Sequence, residues 1–119
     1  RISPLRSSTD KGLRYTVHND TPIVPPDMMR LLWSAANRET RSGKVLGVEQ
    51  QATVMEGIKA MTIDAAYQYF EEGSKGSIEV GKKADFVILD ENPLKIDPRK
   101  IKDIAVLETI KEGRTVFKK

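Results

Sequence analysis

The sequence contains no cysteine. Disulfide cross-links and thiolate metal sites are therefore excluded, and the absence fits a reducing compartment such as the cytoplasm. There is one histidine, His18, so no two-histidine zinc motif can be assembled from this chain by itself. No apolar run approaches the ~20 residues that cross a bilayer, and no signal-peptide pattern is visible, so no membrane partner is expected. There is no G-x-S-x-G nucleophile elbow. Gly76-x4-Gly81-Lys82-Lys83 imitates a phosphate-binding loop only superficially: no Ser or Thr follows the lysine, and the segment leads into a strand rather than a helix. An excess of one charge is also missing. Lysine and arginine number 20 against 17 acidic residues, and they are dispersed apart from short clusters such as Lys82–Lys83 and Lys118–Lys119. A nucleic-acid groove would need a basic stripe interleaved with aromatic platforms. These charges read as a solvated face, and no nucleic-acid partner is expected.

What remains is a composition of folded, soluble type, 39% hydrophobic and 31% charged. The 119 residues suffice for one small domain or two structural pieces, but not for a whole (β/α)8 barrel of ~250 residues. The chain opens on Arg1 rather than Met, which suggests a piece cut from a longer polypeptide.

Ser3-Pro4 reads as a helix start, Ser as N-cap and Pro in the first turn, with the helix running to about Lys11 and Gly12 just past its end. Leu13 to Asn19, with Tyr15, Thr16 and Val17, reads as a strand. Asp20 follows it directly, then a loop punctuated by Pro22, Pro25 and Pro26. Asp27 to Glu39 reads as an amphipathic helix with Met28, Leu31, Leu32 and Ala35 on its buried stripe. After a polar connector containing Gly43 and Gly47, Thr53 and Glu56 form a capping-box pattern. The helix it opens places Val54, Ile58 and Met61 on one face. Thr62 caps a further helical run with Ile63, Ala66, Tyr67 and Phe70 as its stripe. Trp33, Tyr67 and Phe70 read as core residues.

At Gly73 the pattern changes to β. Gly76 and Gly81 bracket an extended piece, Ser77 to Val80. Phe86 to Leu89 is a continuous apolar run of strand length, which suggests burial on both faces. Pro98 to Asp103 allows one helical turn. Val106 to Ile110 and Thr115 to Phe117 read as strands joined by a Glu112-Gly113 turn. Asp85 reads as a cap for neighbouring backbone groups, and Lys82 and Lys83 as solvated. The order gives two units, residues 1–73 and 74–119, and an α+β chain.

One constellation bears on chemistry. On a strand, residues two apart share a face, so His18 and Asp20 would sit together at a strand's C-terminal end, where sites collect in parallel α/β folds. Spacing alone favours a plainer reading, a buried, hydrogen-bonded His and a turn-forming Asp.

Larger patterns carry more. Met61-Thr62-Ile63-Asp64-Ala65-Ala66, followed by Lys75-Gly76-Ser77-Ile78-Glu79-Val80-Gly81-Lys82-Lys83-Ala84-Asp85-Phe86-Val87-Ile88-Leu89-Asp90, resembles the C-terminal part of the amidohydrolase superfamily. Arg1-Ile2-Ser3-Pro4-Leu5-Arg6 and His18-Asn19-Asp20-Thr21-Pro22-Ile23-Val24-Pro25-Pro26 look like the branch containing N-substituted formamide deformylase, some of whose members are described as exoenzyme regulatory proteins.

The resemblance implies that residues 1–73 are the last helix-strand-helix part of a (β/α)8 barrel and that 74–119 are C-terminal strands of a small composite β-sandwich. It implies that Asp20 is a ligand of a catalytic divalent metal, zinc in this reading, and the base that takes a proton from the attacking water. It makes His18 and Thr21 candidates for the substrate pocket, the substrate being a small amide-type molecule. The first-strand His-x-His and the middle-strand ligands of the superfamily are missing, and so are the N-terminal strands of the sandwich. The chain by itself is therefore expected to be inactive and to seek either the remainder of its own polypeptide or a second copy as a homodimer. The alternative is a regulatory or binding module built on the same fold remnant.

Overall fold

Asp27 sets the start of the element on which most of the chain packs. Its backbone is extended, and its carboxylate accepts the Arg30 N–H at 3.0 Å, satisfying one of the amides a helix start leaves free. Helix α2 then runs over Met28–Asn37 and stops at Arg38, which is left-handed. The computed structural model, which describes residues 2–119, buries Met29, Leu32, Trp33 and Ala35 of this helix. The stripe is thus rotated from the expected one: Met28 is exposed and Leu31 half-buried.

The rotation follows from what α2 meets. Its main partner is the 3-10 turn Pro98–Asp103. Ile101 is fully buried beside Leu32 in the core cluster. Trp33 Nε1 donates to the Arg99 carbonyl at 3.1 Å, and Asn37 Nδ2 donates to that of Pro98 at 3.0 Å. Lys102 Nζ lies 5.1 Å from the centre of the Trp33 ring. Trp33 is a core residue, as expected. Met29, Leu32, Trp33, Ile101 and Ile104 form the core, with Val54, Ile58, Met61, Leu89 and Ile96 against it. One core therefore draws on residues from both sides of Gly73.

Helix α3, Val54–Met61, starts on the expected capping box: Thr53 Oγ1 accepts the Glu56 N–H, and the Glu56 carboxylate accepts the Thr53 N–H at 2.7 Å. The same carboxylate takes a fork from Arg6, Nη1 to Oε1 at 2.9 Å and Nη2 to Oε2 at 2.8 Å. That fork ties α3 to helix α1, Leu5–Asp10. Ser3 does not cap α1. Pro4 occupies the N-cap without a side-chain hydrogen bond, and Ser3 has φ +38°. Instead Arg38 reaches back across the start of α1 and donates to the carbonyls of Ile2, Ser3 and Leu46.

Leu13 to Asn19 is not a strand. No amide from 14 to 19 bonds another backbone carbonyl among the described residues. A strand is made by its neighbour, and the described residues supply none for this segment. Side chains hold it instead: Thr16 donates to Gln68 at 2.9 Å, and Arg14 lies 4.1 Å over the Tyr67 ring and 3.8 Å from Asp64.

Helix α4 is short, Ile63–Gln68. Thr62 stands at its N-cap position, as expected, but makes no side-chain capping bond; its hydroxyl donates back to the Ile58 carbonyl at 2.7 Å. Of the expected stripe only Ala66 is buried. Tyr67 is 44% exposed and Phe70 88%, so neither is a core residue. The helix ends before Phe70, which has φ +59°, and Gly76 occupies the space against Ala66. A Cβ on Gly76 would lie 2.8 Å from that of Ala66 and 2.9 Å from the Ile63 Cα, on a backbone with φ +93°.

The tail forms a three-stranded antiparallel sheet in the order β1 (Phe86–Leu89), β2 (Val106–Lys111), β3 (Arg114–Lys118). Glu112 and Gly113, both at positive φ, make the hairpin turn, and Asp85 Oδ1 accepts the Glu112 N–H at 2.8 Å as expected. The expected burial of β1 on both faces fails. Phe86, Val87 and Ile88 are 37%, 53% and 44% exposed, because only the Leu89 end of the strand reaches the core. Ser77 to Val80 forms no strand, and Ile78 and Val80 are exposed. Lys82 is not solvated: its side chain is 10% exposed, donates to Ser77 Oγ at 2.6 Å and lies 3.4 Å from Glu79. The result is α+β with a small sheet. Its radius of gyration is 14.8 Å, above the about 13.5 Å of a closed domain of this length. Among the described residues no helix is long and apolar enough to cross a membrane.

Two consequences are measurable. Gly57 lies in α3 with ordinary helical backbone, where Ala would normally stabilise by about 1 kcal/mol. Here a Cβ would stand 2.5 Å from Leu32 Cδ1, and Leu32, 1% exposed, has no room to move. Gly57→Ala should therefore destabilise by roughly 1–3 kcal/mol in urea unfolding; a variant more stable than wild type would disprove the fit. Partial burial raises the Glu56 carboxyl, but hydrogen bonds from Arg6 and Thr53 outweigh it and hold the group below its usual 4.5. A carboxyl depressed in the folded state contributes stability above its unfolded pKa and loses it as pH falls through the folded value. Stability should thus decline as pH drops below 4.5, and Glu56→Gln should flatten that part of the profile.

Candidate active site

Asp20 lies where the segment 14–19 ends. Its backbone is left-handed, φ +55°, a conformation that Asp tolerates better than most residues. Its carbonyl accepts the Ile23 N–H at 2.8 Å, and Thr21 Oγ1 donates to the Val24 carbonyl at 3.2 Å. Both hydrogen bonds of this turn use backbone oxygen acceptors and leave the carboxylate of Asp20 uncommitted. The side chain is exposed and forms no hydrogen bond or ion pair among the described residues. Next to it, Asn19 Nδ2 reaches Met28 Sδ at 3.4 Å, which fastens the turn to the first residue of α2.

His18 is exposed rather than buried, so the plainer reading of a core histidine does not hold. It lies on an open groove of about 560 Å³ between α1, α2 and the segment 15–18. That size falls in the range of small-molecule sites. Leu5, Tyr15, Val17, Leu31 and Ala35 supply its apolar wall, while Asp20 and Thr21 lie outside the lining. The shared face expected of His18 and Asp20 depended on a strand that this chain does not form.

In the sequence Tyr15 has only the character of a strand former, yet it lines the groove with a hydroxyl that is buried and without a hydrogen-bond partner among the described residues. Burial pushes its phenol above the usual value, and Thr9 offsets this in part. The Thr9 hydroxyl itself donates to the Leu5 carbonyl at 3.3 Å, so it is already engaged. Arg38 also borders the groove, its guanidinium occupied by three carbonyls. Its role as a clamp had no signal in the sequence, because each partner is a backbone atom distant along the chain.

A protein metal centre takes three or four ligands. Among the described residues no group of three or more His, Cys, Asp or Glu side chains is placed to hold an ion. The residues present do not make a metal site by themselves; Asp20 offers one oxygen donor.

The family model described as "Amidohydrolase family" matches residues 1–117. The chain is 30% identical over 113 residues to an N-substituted formamide deformylase of Arthrobacter pascens, covering 95% of this chain and 21% of that protein. It therefore spans about a fifth of that relative's length. An amidohydrolase structure from Thermotoga maritima superposes with a TM-score of 0.71 at 20% identity, over 97% of this chain and 26% of the other, which shows a shared fold. The structure of phenylurea hydrolase B superposes with a TM-score of 0.54 at 31% identity, over 76% of this chain and 16% of the other.

The donor set sets an expectation for metal. Titration of the purified 119-residue chain with zinc should show no stoichiometric site tighter than about 1 µM. A one-to-one isotherm of higher affinity that vanishes in Asp20→Ala would demonstrate a complete site.

Proposed function

This chain belongs to the amidohydrolase family, and we propose that it is the C-terminal part of a hydrolase that cleaves a carbon–nitrogen bond of a small amide-type molecule. The observation that carries this reading is the uncommitted carboxylate of Asp20, held on a fixed turn next to the groove-bearing segment. The relatives named above support the bond type, since a formamide and a phenylurea each present a carbonyl joined to nitrogen.

Hydrolysis of such a bond needs a group that takes a proton from the attacking water and can return one to the departing nitrogen. A carboxylate within hydrogen-bond reach does both. Asp20 fills that role in this proposal. His18 and Thr21 are its companions at the substrate side, His18 from the groove and Thr21 through the turn that fixes the carboxylate.

A divalent metal, zinc in our reading, would draw on Asp20 as one donor, with its other ligands coming from residues outside this chain. The same applies to the architecture. We assign residues 1–73 to the closing part of a (β/α)8 barrel and 74–119 to a composite β-sandwich. The unbonded amides of 14–19 and the exposed apolar face of β1 support that assignment. The 119-residue chain alone is then inactive.

The test is Asp20→Asn in the longer polypeptide that carries this segment. The amide keeps the size of the side chain but accepts no proton. Turnover of an N-substituted amide should fall by about 10² to 10⁴ with the unfolding midpoint unchanged. Activity within tenfold of wild type would remove Asp20 from the chemistry, and an inactive wild type would favour the regulatory-module reading.

A further inference from the structure

Met28 is the exposed member of the stripe expected for α2. It opens the helix, and while Met29, Leu32, Trp33 and Ala35 are buried, Met28 stays 41% exposed and outside the core cluster. Its sulfur is nonetheless engaged: Met28 Sδ accepts from Asn19 Nδ2 at 3.4 Å. Among the described residues this is the one side-chain hydrogen bond that leads out of the stretch from Val17 to Pro26. The bond from Thr21 Oγ1 to the Val24 carbonyl stays inside it, and so does the bond from the Ile23 N–H to the Asp20 carbonyl. The turn that bears Asp20 is thus closed by its own bonds and tied to the helix by Asn19. Asp20 itself stands at φ +55°. A residue other than glycine keeps such a backbone where its surroundings over-determine it, and the tie comes from the residue directly before it.

We propose that Asn19 is a positioning residue: by donating to Met28 it fixes the Asp20 turn against the start of α2 and so sets where the carboxylate stands. This role presupposes that Asp20 is the proton acceptor proposed above. A carboxylate with no bond of its own takes its place from its backbone, and misplacing a reacting group by about 1 Å costs up to about 10²-fold in rate. Asn suits the task because its amide donates, whereas an Asp at this position would only accept and would set a second negative charge beside Asp20. Met suits the other end, since an unbranched, flexible side chain brings a weak acceptor to the amide from an exposed helix position. An apolar residue left out of the core stripe thereby acquires a purpose that packing does not give it.

The first measurement is hydrogen exchange of the Ile23 amide, read by NMR on the 119-residue chain. Exchange should quicken about three- to tenfold in Asn19→Ala and in Met28→Leu, the range expected for losing one modest hydrogen bond. Met28→Leu keeps the apolar bulk and loses the acceptor. Met28→Gln does the reverse, with an amide oxygen near the place of the sulfur, and should return exchange to the wild-type rate; a packing role would give the opposite order. The second measurement is turnover of an N-substituted amide by the longer polypeptide that carries this segment. Asn19→Ala and Met28→Leu should each lower kcat about tenfold with KM unchanged. The double variant should be no slower than the slower single one, because both remove the same bond, and Met28→Gln should recover most of the loss. If Asn19→Ala does not fold, the Leu and Gln variants at exposed position 28 decide. Asp20→Asn is measured alongside. Should it abolish turnover while Asn19→Ala and Met28→Leu retain it, the positioning role is overturned and the reading of Asp20 stands. Full turnover in Asp20→Asn overturns both. Equal exchange in the Leu and Gln variants overturns the positioning role as well.

Discussion

The clamp between α2 and the 3-10 turn Pro98–Asp103 is the contact on which the rest depends. Leu32 and Ile101 are the two largest fully buried side chains, and they meet there. An isolated turn of six residues has too few internal hydrogen bonds to persist on its own. Trp33 and Asn37 take up the Arg99 and Pro98 carbonyls, which would otherwise be left without partners beside an apolar helix. By fixing the turn, α2 also fixes the start of β2 just after it and, through Leu89, one end of β1. A helix near the front of the chain thereby places a sheet at its end.

The candidate site depends on α2 from the other side. The Asp20 turn leads into Asp27, the N-cap, and Asn19 reaches the first residue of the helix. The segment before Asp20 is anchored to α4 by Arg14 and Thr16, and among the described residues its amides at 14–19 bond no backbone carbonyl. Asp20 is thus held by side-chain contacts and a turn, not by a sheet. Such an arrangement fixes the position of the carboxylate while leaving its oxygens open to water, substrate or an ion. The cost is visible in the same region: backbone groups without protein partners are stable only in water or beside a further strand.

Signals that depend on a few adjacent residues were readable. The Thr53–Glu56 capping box, the Asp85 cap, the Glu112-Gly113 turn and the three tail strands are all where local rules put them. Signals that presume a partner were not. The Leu13 to Asn19 pattern is that of a strand, but no neighbour pairs with it. The Phe86 to Leu89 run has the composition of a doubly covered strand, but one edge and much of both faces lie open. Tyr67 and Phe70 fit a helical stripe, but α4 ends too soon to carry it to a core. Lys82 looks like a surface charge, yet its chain folds back on Ser77 and Glu79.

The sequence by itself determined the local grammar and the family, because caps, turns and the T-x-D-x-A and G-S-I-x-x-G-K-x-A-D patterns are contained in short stretches of residues. The resemblance, rather than spacing, made Asp20 the candidate, because spacing alone favoured a turn-forming Asp. Only the tertiary structure decided which face of α2 is buried, since that depends on the Pro98–Asp103 turn some seventy residues away. It alone decided that His18 opens onto a groove with Tyr15, while Asp20 stands on a turn outside it. Periodicity describes how an element could be buried. Whether it is buried, and against what, is settled by the elements that exist to cover it.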